Sequence, residues 1–137
     1  MLSKKDLDIL TYNIIGAAIE VHKILGAGLN ESVYHKFLIL EFQKRNISFE
    51  SEKPIYIEAY ERQNKIDFKA DFIIEHSIIV EIKSVEFFTI LHEAQILNYM
   101  KLLKIPKGIL INFRCTNIFY NGQKTFVNNL YDALPQS

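Results

Sequence analysis

Apolar residues recur every three or four positions at the start of the chain, at Leu7, Leu10, Ile14, Ala17, Val21 and Leu25. This spacing predicts a helix to about Leu25, opened by a capping-box-like pair, Ser3 and Asp6. The run Gly26-Ala27-Gly28 stops it. Asn30 can cap a second helix, with Val33, Phe37, Leu40 and the Lys44 stem along one face until Asn46. From residue 48 to residue 83 the period changes to two. SFESEK, IYIEAY after Pro54, KIDFKADFII and SIIVEIK read as strands of an antiparallel meander, with polar turns at ERQNK and around EHS. A third helix is predicted over 89–103, with Ile90, Ala94, Leu97 and Lys101 on one stripe and Leu91, Gln95, Asn98 and Leu102 on the next. GILINF then reads as a strand covered on both faces, and NIFY with QKTFV around Asn121-Gly122 as a closing hairpin.

The meander places charges. In KIDFKADFII, Phe68, Ala70 and Phe72 are expected on one face and Asp67, Lys69 and Asp71 on the other. In IIVEIK, the even positions match that inner face and Glu81 and Lys83 share the polar one. Pairing even to even requires an odd-length loop. With Glu75, His76 and Ser77 as that loop, residue 74 lies opposite 78, and Asp71 opposite Glu81. Two carboxylates about 5 Å apart repel unless a cation lies between them. A divalent metal such as Mg²⁺ suits oxygen ligands, and Lys83, next along the face, could position an attacking water. The same charges also fit an ordinary solvated face neutralised by Lys69 or Lys83. Glu58 with Asp67 and Lys69 repeats the loose pattern elsewhere.

Composition narrows the classes. The 137 residues fit one domain, and 16 basic against 16 acidic side chains give no net charge, so any nucleic-acid contact has to be local. The lone Cys115 excludes an internal disulfide and a multi-cysteine zinc site. No apolar run reaches the roughly 18 residues of a membrane span and no secretion signal is evident, which predicts a soluble cytoplasmic protein. His22, His35, His76 and His92 form no ligand spacing, although His35 stands one helical turn beyond Glu31 and could approach the carboxylates.

Further segments carry a resemblance. VHKILGAG, then Gly28, Glu31 and Tyr34 in GAGLNESVY, ADF at Asp71, VEIK at Glu81 and HEAQILNYM occur in that order. Together they resemble the GxxExxY proteins, a branch of the PD-(D/E)XK nuclease superfamily, from about residue 7 to residue 113. The resemblance implies an α/β, restriction-endonuclease-like core of order αβββαβ, a mixed sheet flanked by helices, with an extra helix in front. It maps the superfamily's acidic pair to Asp71 and Glu81 and its lysine to Lys83. It adds Glu31 to the metal shell and sets Gln95 and Tyr99 beside the site. Ala70 stands where the superfamily's name places a proline.

The combined expectation is a Mg²⁺- or Mn²⁺-dependent nuclease. Glu31, Asp71, Glu81 and the Ile82 carbonyl would surround the metal, Lys83 and Gln95 would arrange water and phosphate, and Tyr34 and Tyr99 would contact substrate. Nucleic acid is the expected partner, DNA ahead of RNA, and short, single-stranded or end-bound rather than extended duplex. A non-catalytic nucleic-acid- or protein-binding module that keeps the nuclease fold is the alternative. A dimer through the sheet edge or GILINF is a third.

Overall fold

The computed structural model describes residues 2–137. Helix α1 (Lys4–Leu25) opens with the reciprocal capping box of Ser3 and Asp6 and ends at Gly26. Helix α2 (Glu31–Lys44) follows Asn30, whose side chain makes no capping hydrogen bond. Strands β1 (Phe49–Ala59), β2 (Arg62–Ile74) and β3 (Ile78–Lys83) come next, then α3 (Ile90–Leu103), β4 (Lys107–Asn112), the one-turn helix α4 (Ile118–Asn121), β5 (Gln123–Val127) and a final turn, α5 (Asn129–Asp132). The sheet order is β1-β2-β3-β4-β5, antiparallel except for the parallel pair β3–β4 that α3 connects. The architecture is that of a restriction-endonuclease-like α/β fold with a mixed sheet between helices.

Two apolar layers cover the sheet. Leu7, Ile14, Val21, Tyr34, Leu38 and Phe42 of α1 and α2 pack on Phe72, Ile74, Ile78, Val80 and Ile82. On the other face, Ile96 and Met100 of α3 meet Ile55, Ala70, Ile73, Ile79 and Leu110. Strand β3 is therefore buried from Ile78 to Ile82, as a central strand with helices on both faces must be.

The α1 stripe matches its period, but α2 and α3 turn other faces inward. In α2 the buried residues are Tyr34, Leu38, Glu41 and Phe42, and Leu40 is exposed. In α3 they are Ile96 and Met100, with Ile90, Leu91 and Leu97 exposed. Apolar residues surround α3, so period alone cannot choose its inner face; close packing on the sheet does. A Cβ on Gly108 of β4 would come within 2.7 Å of the Met100 sulfur and 3.0 Å of Ile96 Cδ1, so α3 seats on β4 only where a side chain is missing.

The strands depart from the expected pattern in three places. Residues 49–59 form one strand, with a register shift between Pro54 and Tyr56; β1 is an edge strand, where a missing proline N–H is tolerated. Ala70 packs toward α3 whereas Phe72 packs toward α1 and α2, so strict alternation fails around Asp71, opposite the positive-φ Glu52 of β1. The expected hairpin of NIFY with QKTFV does not form. Asn117 caps the α4 turn instead, accepting from the Tyr120 N–H, and QKTFV pairs with β4.

Candidate active site

The β2–β3 turn sets the register. Glu75, His76 and Ser77 form the loop, and Ile74 pairs with Ile78, Ile73 with Ile79 and Phe72 with Val80. Asp71 thus reaches Glu81, as the loop length predicts. The Asp71 N–H donates to Glu81 Oε1 at 3.4 Å, and the Ile82 N–H donates to Asp71 Oδ2 at 2.9 Å. The carboxylates lock the strand end as well as each other.

Glu81 does not lie on a solvated face. It is 4% exposed, and its carboxyl is pushed up to about 9. Burial is the largest cause. The negative charge of Asp71 and a hydrogen bond to its side chain follow, and the Lys83 ammonium pulls more weakly the other way. Glu81 therefore carries its proton at neutral pH. A solvated charge pair would not need one.

On the Asp71 side of this pair lies a cavity lined by Glu31, Ser32, His35, Glu52, Asp71 and Ile82, with Glu81 behind it. Glu31 is presented by the first turn of α2, and its Oε1 accepts the Ser84 N–H at 3.2 Å, just past Lys83. His35 Nε2 lies 3.3 Å from the Asp71 carbonyl and 3.1 Å from Ser51 Oγ, and its ring stacks on Phe72 at 4.4 Å. It orients the bend of β2 that aims Asp71.

Tyr34 sits elsewhere than at a substrate rim. It is fully buried, stacked on Phe113 at 4.3 Å. Its hydroxyl donates to the Gly26 carbonyl at 2.6 Å and accepts the Leu29 N–H at 3.1 Å. It thereby closes the turn that contains Gly28, whose φ of +96° suits glycine. That turn delivers Glu31. Tyr99 is half-buried and stacks on Phe68 at 3.9 Å, which ties the outer part of β2 to α3; burial and the Glu81 charge push its phenol up. Gln95, half-buried, precedes Tyr99 by one turn of the same helix.

The periodic reading passed over Asn112. It is buried at the end of β4 beside Lys83. Its Oδ1 accepts the N–H groups of Val85 and Arg114, both at 3.1 Å, and its Nδ2 donates to the Val85 carbonyl at 2.8 Å. A polar residue ending the apolar run GILIN was the available signal, since a buried amide needs partners.

A profile of the PD-(D/E)XK nuclease superfamily matches residues 8–124. The chain belongs to the PD-(D/E)XK nuclease superfamily. The crystal structure of SSO0001 is similar, with a TM-score of 0.47 and 18% identity, over 88% of this chain and 78% of that one. No curated protein matches. Among the described residues no helix is long and apolar enough to cross a membrane.

PD-(D/E)XK nucleases usually use divalent metals. The donor set here fits one in kind: two hard carboxylates on adjacent strands, one held protonated by burial and its neighbour's charge. It is not a preformed cluster. Among the described residues no three His, Cys, Asp or Glu side chains are gathered tightly enough to hold a metal ion.

Proposed function

We propose that this chain is a divalent-metal-dependent nuclease of the GxxExxY branch, hydrolysing phosphodiester bonds with Mg²⁺ or Mn²⁺. The observation that carries the reading is the buried Glu81 set against Asp71. Burying Glu81 against a second carboxylate costs stability that packing does not require, and a cation between them would recover it. Asp71, Glu81 and the Ile82 carbonyl would hold the metal, joined by Glu31. When bound, the metal supplies Lewis-acid stabilisation of charge building on the phosphoryl oxygens and lowers the pKa of water. Lys83 orients the attacking water and the adjacent phosphate oxygen, and Gln95 assists from α3. His35 holds Asp71 through its backbone.

The GxxExxY assignment is supported by what its three residues do here. Gly28 permits the turn, Tyr34 closes it, and Glu31 is carried to Ser84.

A second reading, a binding module without turnover, is favoured by one feature. Asp71 Oδ2 and Glu31 Oε1 are both engaged by backbone N–H groups, and a metal would have to share or displace those contacts. Incubating the protein with labelled single- and double-stranded DNA and RNA, in Mg²⁺, Mn²⁺ or EDTA, separates the two. Metal-dependent cleavage lost in Asp71→Asn and Lys83→Ala supports the nuclease; binding with no cleavage of any substrate supports the module.

A further inference from the structure

The segment after Lys83 is anchored at both ends and leaves one aromatic side chain in solvent. Asn112 fixes Val85 through both its N–H and its carbonyl. At the far end, the Thr89 hydroxyl accepts the His92 N–H at 3.2 Å and His92 Nδ1 accepts the Thr89 N–H at 3.1 Å. Phe88 packs against the α3 core, edge-on to His92 at 6.5 Å. Between these anchors Phe87 is 66% exposed, and Ile90 and Leu91 beyond it are 88% and 67% exposed. Holding an aromatic ring out of the core forgoes the burial that would otherwise stabilise the fold.

Phe87 borders a groove shared with Phe88, Asn112, Arg114, Asn121 and Lys124. Asn112 is the register partner of Lys83, so the groove begins where the proposed site ends. Arg114 is exposed there and, among the described residues, forms no ion pair. Lys124 is already paired with Glu93 at 2.9 Å, and Glu86 also lines the groove. Bulk positive charge is therefore weak, in keeping with a net charge of zero. Affinity has to come from stacking and from a single guanidinium.

We propose that this groove binds a single strand of nucleic acid, a base stacking on Phe87 and a backbone phosphate meeting Arg114, beside the Asp71–Glu81 site. The inference rests on the nuclease reading of that site and names its substrate as single-stranded or frayed ends. Paired bases in a duplex present no free face to a ring.

The test is fluorescence anisotropy in EDTA, where no cleavage occurs. The probes are a labelled oligothymidylate, an abasic strand of the same length and a duplex. The wild type should bind oligothymidylate more tightly than either alternative. Phe87→Ala should lose about 5- to 100-fold on oligothymidylate and nothing on the abasic strand, and Phe87→Trp should retain binding. Arg114→Ala should weaken both strands and flatten the salt dependence by about one charge. An unchanged affinity of Phe87→Ala for oligothymidylate, an equal loss on the abasic strand, or no strand binding by the wild type would overturn the proposal. So would a Phe87→Ala effect confined to oligomeric state, which would assign this face to a protein contact. A parallel cleavage assay keeps the two readings apart. Cleavage that needs Glu81 beside an unaltered Phe87→Ala affinity removes the platform alone, and cleavage indifferent to Glu81→Gln removes the nuclease assignment.

Discussion

Asp71 and Glu81 meet across β2 and β3, with the Asp71 N–H donating to Glu81 Oε1 at 3.4 Å and the Glu81 carboxyl raised to about 9. The pair is more than two nearby acids. Glu81 holds a proton that a cation would displace, and stability should depend on pH accordingly.

In EDTA, the native state keeps Glu81 protonated while the unfolded chain ionises it above about 4.5. The unfolded state therefore binds fewer protons between about 4.5 and 9, and this group makes stability fall as pH rises through that window, with no further loss above it. The penalty at pH 8.5 amounts to several kcal/mol. Urea unfolding at pH 5 and pH 8.5 measures it. Glu81→Gln should remove most of the difference, leaving the variant more stable than wild type at the higher pH.

Metal should reverse that loss. At a concentration of about 100 times its Kd, a divalent cation adds about 2.7 kcal/mol, and binding should tighten as pH rises because the Glu81 proton leaves. Thermal melts with Mg²⁺ or Mn²⁺ at pH 6.5 and 8.5 check this. Asp71→Asn and Glu81→Gln should show no metal-induced rise.

Tyr34→Phe should cost about 1–3 kcal/mol, since removing the buried hydroxyl leaves the Leu29 N–H and Gly26 carbonyl without their partner. Because that turn delivers Glu31, metal affinity should fall with it. Chemical denaturation and a metal titration of the same variant test both effects.

Tyr99 separates packing from substrate contact. Tyr99→Phe preserves the stack on Phe68 and should leave stability near wild type, whereas Tyr99→Leu should lose about 0.5–1.5 kcal/mol beyond its change in buried area. A Tyr99→Phe variant that is stable but raises KM for cleavage would give the hydroxyl a substrate role.

Much of this arrangement was legible in the sequence. A three-residue loop and a period of two fixed the pairing of Ile74 with Ile78, and with it the meeting of Asp71 and Glu81. What period cannot show is which face of an element with apolar residues all round turns inward. In α3 that choice falls to Gly108, a residue on another strand. The bend of β2 around Asp71 was hidden for a related reason, since it depends on Glu52 of the neighbouring strand and on His35 of α2. Tyr34 immediately precedes His35 on α2, and only burial reveals that its hydroxyl serves the Gly26–Leu29 turn. The QKTFV pairing failed because the Asn-Gly signal describes a local turn, while β4 offered a longer partner.

The most direct measurement is the single-turnover cleavage rate of a 5′-labelled single-stranded oligonucleotide by the wild type and by Glu81→Gln. In Mg²⁺ the wild type should cut and stop on addition of EDTA, and Glu81→Gln should be slower by about 100-fold or more. Equal rates for the two proteins, or cleavage that persists in EDTA, would contradict a metal-dependent site at Asp71 and Glu81.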